Sequence, residues 1–339
     1  MKFKKCAALL LVSSCLLTGC TTSSAKKVDS KYVVASLEKG NKTKNIFADN
    51  LYKDIIDNSS NNSTVFNAVL QNLVDQKFPV NDDMKEDAAT IIKQIKSAYK
   101  SNYGDNYKDS LNQALTSAGY KNLSEYRQRM IKQIQYANFL LDYIDDHFDD
   151  VFNDYYQQCA PKYVSLIKIS VSDTSSPTDD ETSKLNEVKE LISNTDKSFG
   201  DIAQDYSDDS TSSKKGSLGI VDSKDTSGIA NSYGKDVFNA IEALSEGQVS
   251  DVITGDDGYY FVKVTSTDKK TLKKELKKTD IDSPLLAYDD YLQYVVYNSY
   301  KINYKDKDIK KIVQEVVNKA LEERKDGCCS LYFFWILEC

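Results

Sequence analysis

The feature that most constrains the fold is a switch in apolar periodicity at Pro161. From about residue 45 to 158 apolar side chains recur at helical spacing: Val65, Phe66, Val69, Leu70, Leu73 and Val74, then Ala88, Ile91, Ile92, Ile95 and Tyr99. Leu111, Ala114 and Leu115 follow and stop at Gly119. A long helix is then expected through Tyr126, Met130, Ile134, Ala137, Leu140, Leu141 and Ile144, with Asn122 and Glu125 as its capping box. This predicts a bundle of four to six helices with short connections. Beyond Pro161, Tyr163 to Val171 reads as a strand and a Ser/Thr/Asp/Pro loop runs through Asp180. Helices are expected over Lys184 to Asn194, Phe199 to Tyr206 and Val237 to Ala243, and a closing strand over Gly258 to Val264. Strand, helices and closing strand make a compact α+β domain over roughly 160–268. Leu285–Tyr300 and Ile309–Leu321 are helical again.

The N-terminus decides where such a chain works. Met1-Lys2-Phe3-Lys4-Lys5, an apolar run from Ala7 through Leu17, and Leu17-Thr18-Gly19-Cys20 read as a bacterial lipoprotein signal. The run has the length of a signal-peptide core and is too short to span a bilayer. Residues 1–19 are expected to be removed and Cys20 to carry the lipid that holds the chain on the extracytoplasmic face of the cell membrane. One acyl chain holds weakly, so two or more are expected. Residues 20–31, small and polar, read as a flexible tether, and the folded protein as starting near Tyr32.

Charge and cysteine usage exclude several classes. The formal net charge of −7 becomes about −10 once the three lysines of the signal are gone, and the remaining lysines are interleaved with Asp and Glu. No basic stripe suited to nucleic acid is present. Of seven cysteines, Cys6 and Cys15 lie in the signal and Cys159 stands alone. Cys328, Cys329 and Cys339 crowd an apolar tail over 327–339. There is no disulfide framework and no metal-ligand spacing, so no metal and no cofactor are expected. The tail is open to three readings: a reading-frame accident, a membrane-touching tail or a thiol-bearing interaction segment. Tyr288, Tyr291, Tyr294, Tyr297 and Tyr300 wander around a helix and read as core or interface side chains.

Four motifs in order carry a resemblance. Phe199-Gly-Asp-Ile-Ala-Gln-Asp-Tyr-Ser-Asp-Asp-Ser210 is similar to F-x-x-L-A-x-x-x-S-x-D-x, and Lys215-Gly-Ser-Leu-Gly219 to G-G-D-L-G. Ala240 to Asp251 is similar to A-x-x-x-L-x-x-G-x-V-S-x, and Asp257-Gly-Tyr-Tyr-Phe-Val-Lys-Val264 to x-G-Y-H-I-I-K-V. Residues 160–268 thereby resemble the parvulin family of peptidyl-prolyl isomerases, and the mature chain resembles the extracytoplasmic PrsA-type foldase lipoproteins. The resemblance implies an α+β protein: a helical chaperone arm of SurA/PrsA type over 32–158, joined by returning C-terminal helices over 269–326, with the parvulin-like domain inserted.

The resemblance also assigns candidate roles. Asp209 matches the acidic or cysteine position beside the substrate carbonyl, and Asp257 the polar position before the last strand's glycine. Leu218 matches a pocket leucine, and Val237 or Phe238 the pocket aromatic. Leu166 and Tyr260 stand where parvulins carry histidines. The chain's single histidine, His147, lies in Asp145-Asp-His-Phe-Asp-Asp150 and reads as a solvated helix end. Lys168 shares a strand face with Leu166 and is placed to reach Tyr260; a part-buried ammonium there either shifts its pKa or demands a carboxylate such as Asp209. Asp209 and Tyr260 are thus the candidate catalytic residues, and Leu166, Lys168, Leu218, Val237, Phe238 and Asp257 the candidate substrate-binding ones. The expected function is that of a lipid-anchored foldase for unfolded or newly secreted polypeptides, with isomerase activity weak or lost. An active isomerase, a surface scaffold and a solute-binding lipoprotein remain as alternatives, and a homodimer is left open.

Overall fold

The computed structural model describes residues 27–39, 42–194, 196–277 and 280–334, and for residues 37–39, 42 and 326–334 the backbone alone. The lipoprotein signal, Cys20 and the end of the tail lie outside the described residues. The chain is α+β and divides into two compact units, Asp82–Asp290 and the segments on either side of it.

The flanking unit opens with three antiparallel strands, β1 (Lys27–Val28), β2 (Lys31–Lys39) and β3 (Lys42–Phe47). The strands begin inside the stretch read as a tether, and a hairpin stands where the arm was expected to be helical. Tyr32-Val33-Val34 and Ile46-Phe47 favour extended backbone, and Gly40-Asn41 between them in sequence is a hairpin-type turn pair. Helix α1 (Ala48–Ile56) follows, then α2 (Asn62–Lys77), whose Val65, Phe66, Leu70 and Val74 are buried.

In the Asp82–Asp290 unit, α3 (Asp82–Tyr103), α4 (Tyr107–Ser117), α5 (Leu123–Asp146) and α6 (Phe148–Cys159) follow the expected apolar stripes. Gly119 at φ +86° ends α4, its successor Tyr120 donating back to the Leu115 carbonyl. Asn122 caps α5 by accepting from the Glu125 N–H at 3.0 Å, but the Glu125 carboxylate accepts from Lys121 N–H at 2.6 Å, so the box closes one residue early. His147 stacks on Tyr143 with ring centroids 4.1 Å apart at the end of α5.

The same unit continues with β4 (Lys162–Ser170), α7 (Asp179–Asn194), α8 (Phe199–Tyr206), β5 (Ser217–Val221), α9 (Ile229–Tyr233), α10 (Lys235–Ala243), β6 (Ile253–Gly255), β7 (Gly258–Ser266) and α11 (Lys269–Leu276). The sheet has the order β5-β4-β7-β6, antiparallel throughout. Its central strands alternate: Val164, Leu166, Tyr260 and Val262 face α9 and α10, whereas Ile167, Ile169 and Phe261 face α7 and α8. Two glycines make the close approaches. A Cβ at Gly216 (φ +75°) would lie 2.4 Å from the Leu166 carbonyl oxygen, and one at Gly258 (φ +153°) 2.2 Å from that of Ile169. The sheet is held to α6 by the fully buried Asp222, which accepts from Tyr155 Oη at 2.8 Å and from the backbone of Lys224 and Thr226.

After Asp290 the flanking unit resumes with α12 (Leu292–Ser299) and α13 (Lys307–Phe334), the latter running well past the expected end at Leu321. α13 packs along α2. Phe66 stacks on Tyr294 at 4.9 Å and meets Tyr297 edge-on at 5.1 Å, so part of the tyrosine series is core.

Candidate functional site

The site lies on the sheet face covered by α9 and α10. Leu166, Val237 and Tyr260 are buried in its floor together with Val164, Val221, Ile229, Ile241 and Val262, while Leu218, Tyr233 and Phe238 are half-buried and packed against that floor. All the apolar candidates read from sequence therefore meet in one cluster. Val237 faces the floor and Phe238 the rim, which settles which of the two is more accessible. Tyr233 was not among the candidates; its ring meets Tyr260 edge-on with centroids 6.2 Å apart.

The polar candidates sort into two groups. Strand register places Lys168 directly opposite Tyr260, and Leu166 opposite Val262, so the two positions where parvulins carry histidines are diagonal neighbours. The Lys168 ammonium reaches Asp257 at 2.5 Å and sits 5.6 Å from the Tyr260 ring centroid. The Tyr260 hydroxyl donates to the other oxygen of the same carboxylate. The expectation that Asp209 would balance Lys168 is corrected: Asp257, brought back by the tight turn between β6 and β7, does so. Lys168 is only 7% exposed while Asp257 is 48% exposed, so the pair has a dry cationic end and a wet anionic one. Burial, the bond to Asp257 and the nearby charges of Asp257 and Asp209 push the Tyr260 hydroxyl far above the ordinary tyrosine range.

Asp209 caps a short 3-10 turn over Ser210–Lys214 by accepting from Thr211 N–H at 2.8 Å. The same oxygen is 3.5 Å from Tyr233 Oη, and burial followed by the Asp209 charge raises the Tyr233 hydroxyl as well. The residues just before it clasp β4: Ser207 Oγ accepts from Lys168 N–H at 3.0 Å, Asp208 N–H donates to the Lys168 carbonyl at 2.8 Å, and the Asp208 carboxylate accepts from Ser170 N–H at 2.9 Å. The Ser-x-Asp stretch thus fixes the loop that carries Asp209 against the strand that carries Lys168. Among the described residues no group of three or more His, Cys, Asp or Glu is arranged to hold a metal.

Chemically, the arrangement is an apolar cluster with Tyr260 in its floor, Tyr233 half-buried above it, and the carboxylates of Asp209 and Asp257 beside them. Its part-exposed apolar surface is formed by Leu218, Tyr233 and Phe238. Both proton-bearing groups of its floor, the Tyr260 hydroxyl and the Lys168 ammonium, are directed at Asp257.

Residues 166–266 match the rotamase family, a PPIC-type PPIase domain. "Foldase protein PrsA" of Staphylococcus aureus (strain bovine RF122 / ET3-1) is 32% identical over 151 residues, 42% of this chain and 44% of that one. The protein of the same name from Staphylococcus epidermidis (strain ATCC 12228 / FDA PCI 1200) is 32% identical over 141 residues, 40% of this chain and 41% of that one. The chain therefore spans less than half the length of these curated relatives. A crystal structure of foldase protein PrsA from Streptococcus pneumoniae aligns over 83% of this chain and 99% of that one, at 19% identity and a TM-score of 0.39. Residues 166–266 thus match a PPIC-type PPIase domain, and the chain is similar to PrsA foldases over about two fifths of its length.

Proposed function

We propose that this chain is an extracytoplasmic foldase, anchored to the membrane through lipid on Cys20, that holds unfolded or newly secreted polypeptides on the apolar surface of its 160–268 domain and isomerises prolyl bonds weakly or not at all. The observation that carries this reading is the closed Lys168–Asp257–Tyr260 network beside Leu166. Prolyl isomerisation requires lowering a rotational barrier of about 18–20 kcal/mol, which a site does only by binding the twisted amide better than either planar form. A tyrosine proton already directed at a carboxylate is not offered to the rotating carbonyl or to the freed nitrogen lone pair, and a leucine has none to offer. The apolar surface does not depend on that proton: Leu218, Tyr233 and Phe238 are half-buried over a dry floor, which suits capture of apolar segments.

The domain limits used here, with 32–158 and 269–326 as the arm, and the assignment of Leu166, Lys168, Leu218, Val237, Phe238 and Asp257 to client contact belong to the same proposal. Among the described residues no helix is long and apolar enough to cross a membrane, which is compatible with attachment by lipid. The decisive experiment is cis/trans exchange of an Ala-Pro peptide, followed by NMR exchange with the mature chain, beside suppression of aggregation of an unfolded client. Exchange near background with aggregation suppressed is the expected result. Catalysis well above background refutes the loss and makes the chain an active isomerase, a reading favoured by the position of Asp209 beside that surface.

A further inference from the structure

The segment from Lys27 to Thr64 forms three strands and a helix, yet among its described residues no side chain is buried. Of the large apolar side chains that stand exposed among the described residues, all but Tyr103 fall within it: Val28, Tyr32, Val34, Leu51, Tyr52 and Ile55, at 39–46% exposure. Single exposed apolar residues are ordinary, but their concentration in one short segment of a 339-residue chain is not.

The register shows how the hairpin is oriented. Lys27 lies opposite Tyr32, and its ammonium sits 4.5 Å from the Tyr32 ring centroid, so these two share one face, while the bulge of β2 between Val33 and Ala35 leaves Val34 exposed. Lys31 belongs to the other face, where it reaches Asp49 of α1 at 3.3 Å and lies over the Phe47 ring. Helix α1 packs against β2 and β3, while Tyr32 and Val34 stand 46% and 45% exposed.

We propose that this face docks on the headgroup layer of the anionic membrane that holds the anchor, making a second, protein-borne contact with the lipid. The inference rests on the reading of Cys20 as the lipid site and adds a surface to it. Seven residue steps separate Cys20 from Lys27, and a chain extends at most about 3.6 Å per step, so β1 starts within about 25 Å of the anchored sulfur whatever path the chain takes. The composition fits lipid better than a second copy of the chain. Tyrosine and valine flanked by lysine is the makeup of a membrane interface, where the aliphatic stem is buried and the ammonium stays at the phosphates; lysine is depleted in protein interfaces. Charge points the same way. Residues 27–57 carry six lysines against five carboxylates within a chain whose formal net charge is −7, so the sign reverses where the lipid lies nearest.

The test uses the full mature chain with Cys20→Ser, which has no lipid, and vesicles of phosphatidylglycerol mixed with phosphatidylcholine. Co-sedimentation is expected, together with at least about a tenfold fall in partitioning for Tyr32→Asp/Val34→Asp, because two carboxylates then face the anionic surface. Both positions are exposed, and circular dichroism of the double variant verifies its fold. No binding by the folded parent, or binding that the double variant leaves unchanged, overturns the proposal. Sedimentation velocity without vesicles supplies another refuting result: a dimer dissolved by the double variant assigns the face to a second copy. The mass of the chain from cells tests the anchor separately. A Cys20 without lipid would overturn the anchor while leaving vesicle binding by the face to stand or fall by itself.

Discussion

Replacing Asp257 by alanine is the sharpest probe of the network, because it strands a dry cation. Lys168 is 7% exposed and its one ion pair among the described residues is with Asp257 at 2.5 Å, with Tyr260 donating to the same carboxylate. Removing one member of a fully buried pair costs about 3–5 kcal/mol, chiefly through the uncompensated charge left behind. Asp257 is half in water, so solvent enters the vacated position and the expected cost falls to about 2–3 kcal/mol. For a unit of this size that corresponds to a Tm lower by about 4–12 °C. Adding Lys168→Met removes the stranded charge and fills the space with apolar volume. The double variant is expected to return to within about 1 kcal/mol of the parent, since replacing a buried pair by apolar packing is commonly neutral or stabilising. Asp209→Ala, which deletes the cap of a short turn and a long contact with the Tyr233 hydroxyl, should cost about 1 kcal/mol and should not respond to Lys168→Met. Urea denaturation followed by circular dichroism measures all four. A loss below about 0.5 kcal/mol for Asp257→Ala would mean that the ammonium swings into water, and the argument for a closed network would fail.

Four further outcomes are expected. Leu166→His/Tyr260→His, which puts imidazoles at both diagonal positions and frees Asp257 from the phenol, should raise prolyl exchange at least about tenfold, below the roughly hundredfold that positioned acid–base groups contribute at the least; an unchanged rate in a folded double variant would show that the histidines are not what is missing. Gly258→Ala should destabilise the domain by more than about 3 kcal/mol, as its Cβ would meet the Ile169 carbonyl oxygen at 2.2 Å, and a mild effect in denaturation would refute that close approach. Cys159 is buried and burial raises its thiol to about 12, so it should resist iodoacetamide at pH 8 in the native chain and react only in denaturant, as read by mass spectrometry. Glu181 accepts from the backbone of Thr178 and Ser172, which holds its carboxyl at about 2. Its folded value lies below the unfolded one, so the stability it confers is complete above the ordinary glutamate range and disappears as pH falls toward 2. Glu181→Gln should flatten that acid limb in pH-dependent thermal melts, and an unaltered limb would refute the assignment.

What the sequence could disclose depended on how far away each residue's partner lay. Helices α3 to α6 were legible because their apolar stripes and stops are local: Gly119 ends α4 and Asn122 starts α5 within a few residues of the groups they satisfy. The ordered motifs placed the domain for the same reason where they hold a local cap, as Asp209 does for the 3-10 turn. The hairpin over 31–47 was missed because lysines interrupt its alternation and none of its described side chains is buried, so there is no hydrophobic period to read. Tyr233 was missed because it precedes Gly234 at φ +101° in a helix of five residues, too short to show a face. The partner of Lys168 was assigned to Asp209 on proximity of motif, whereas Asp257 lies 89 residues away in sequence and is delivered by the register of β7 against β4. That register is pinned by Gly258, which alone lets β7 approach the Ile169 carbonyl. Because side chains alternate with a period of two, a slip of one residue would turn Tyr260 to the opposite face and bring Tyr259 or Phe261 over Lys168. The identity of the carboxylate that pairs with Lys168 is therefore a consequence of strand pairing, which the close approach of Gly258 to the Ile169 carbonyl helps to fix.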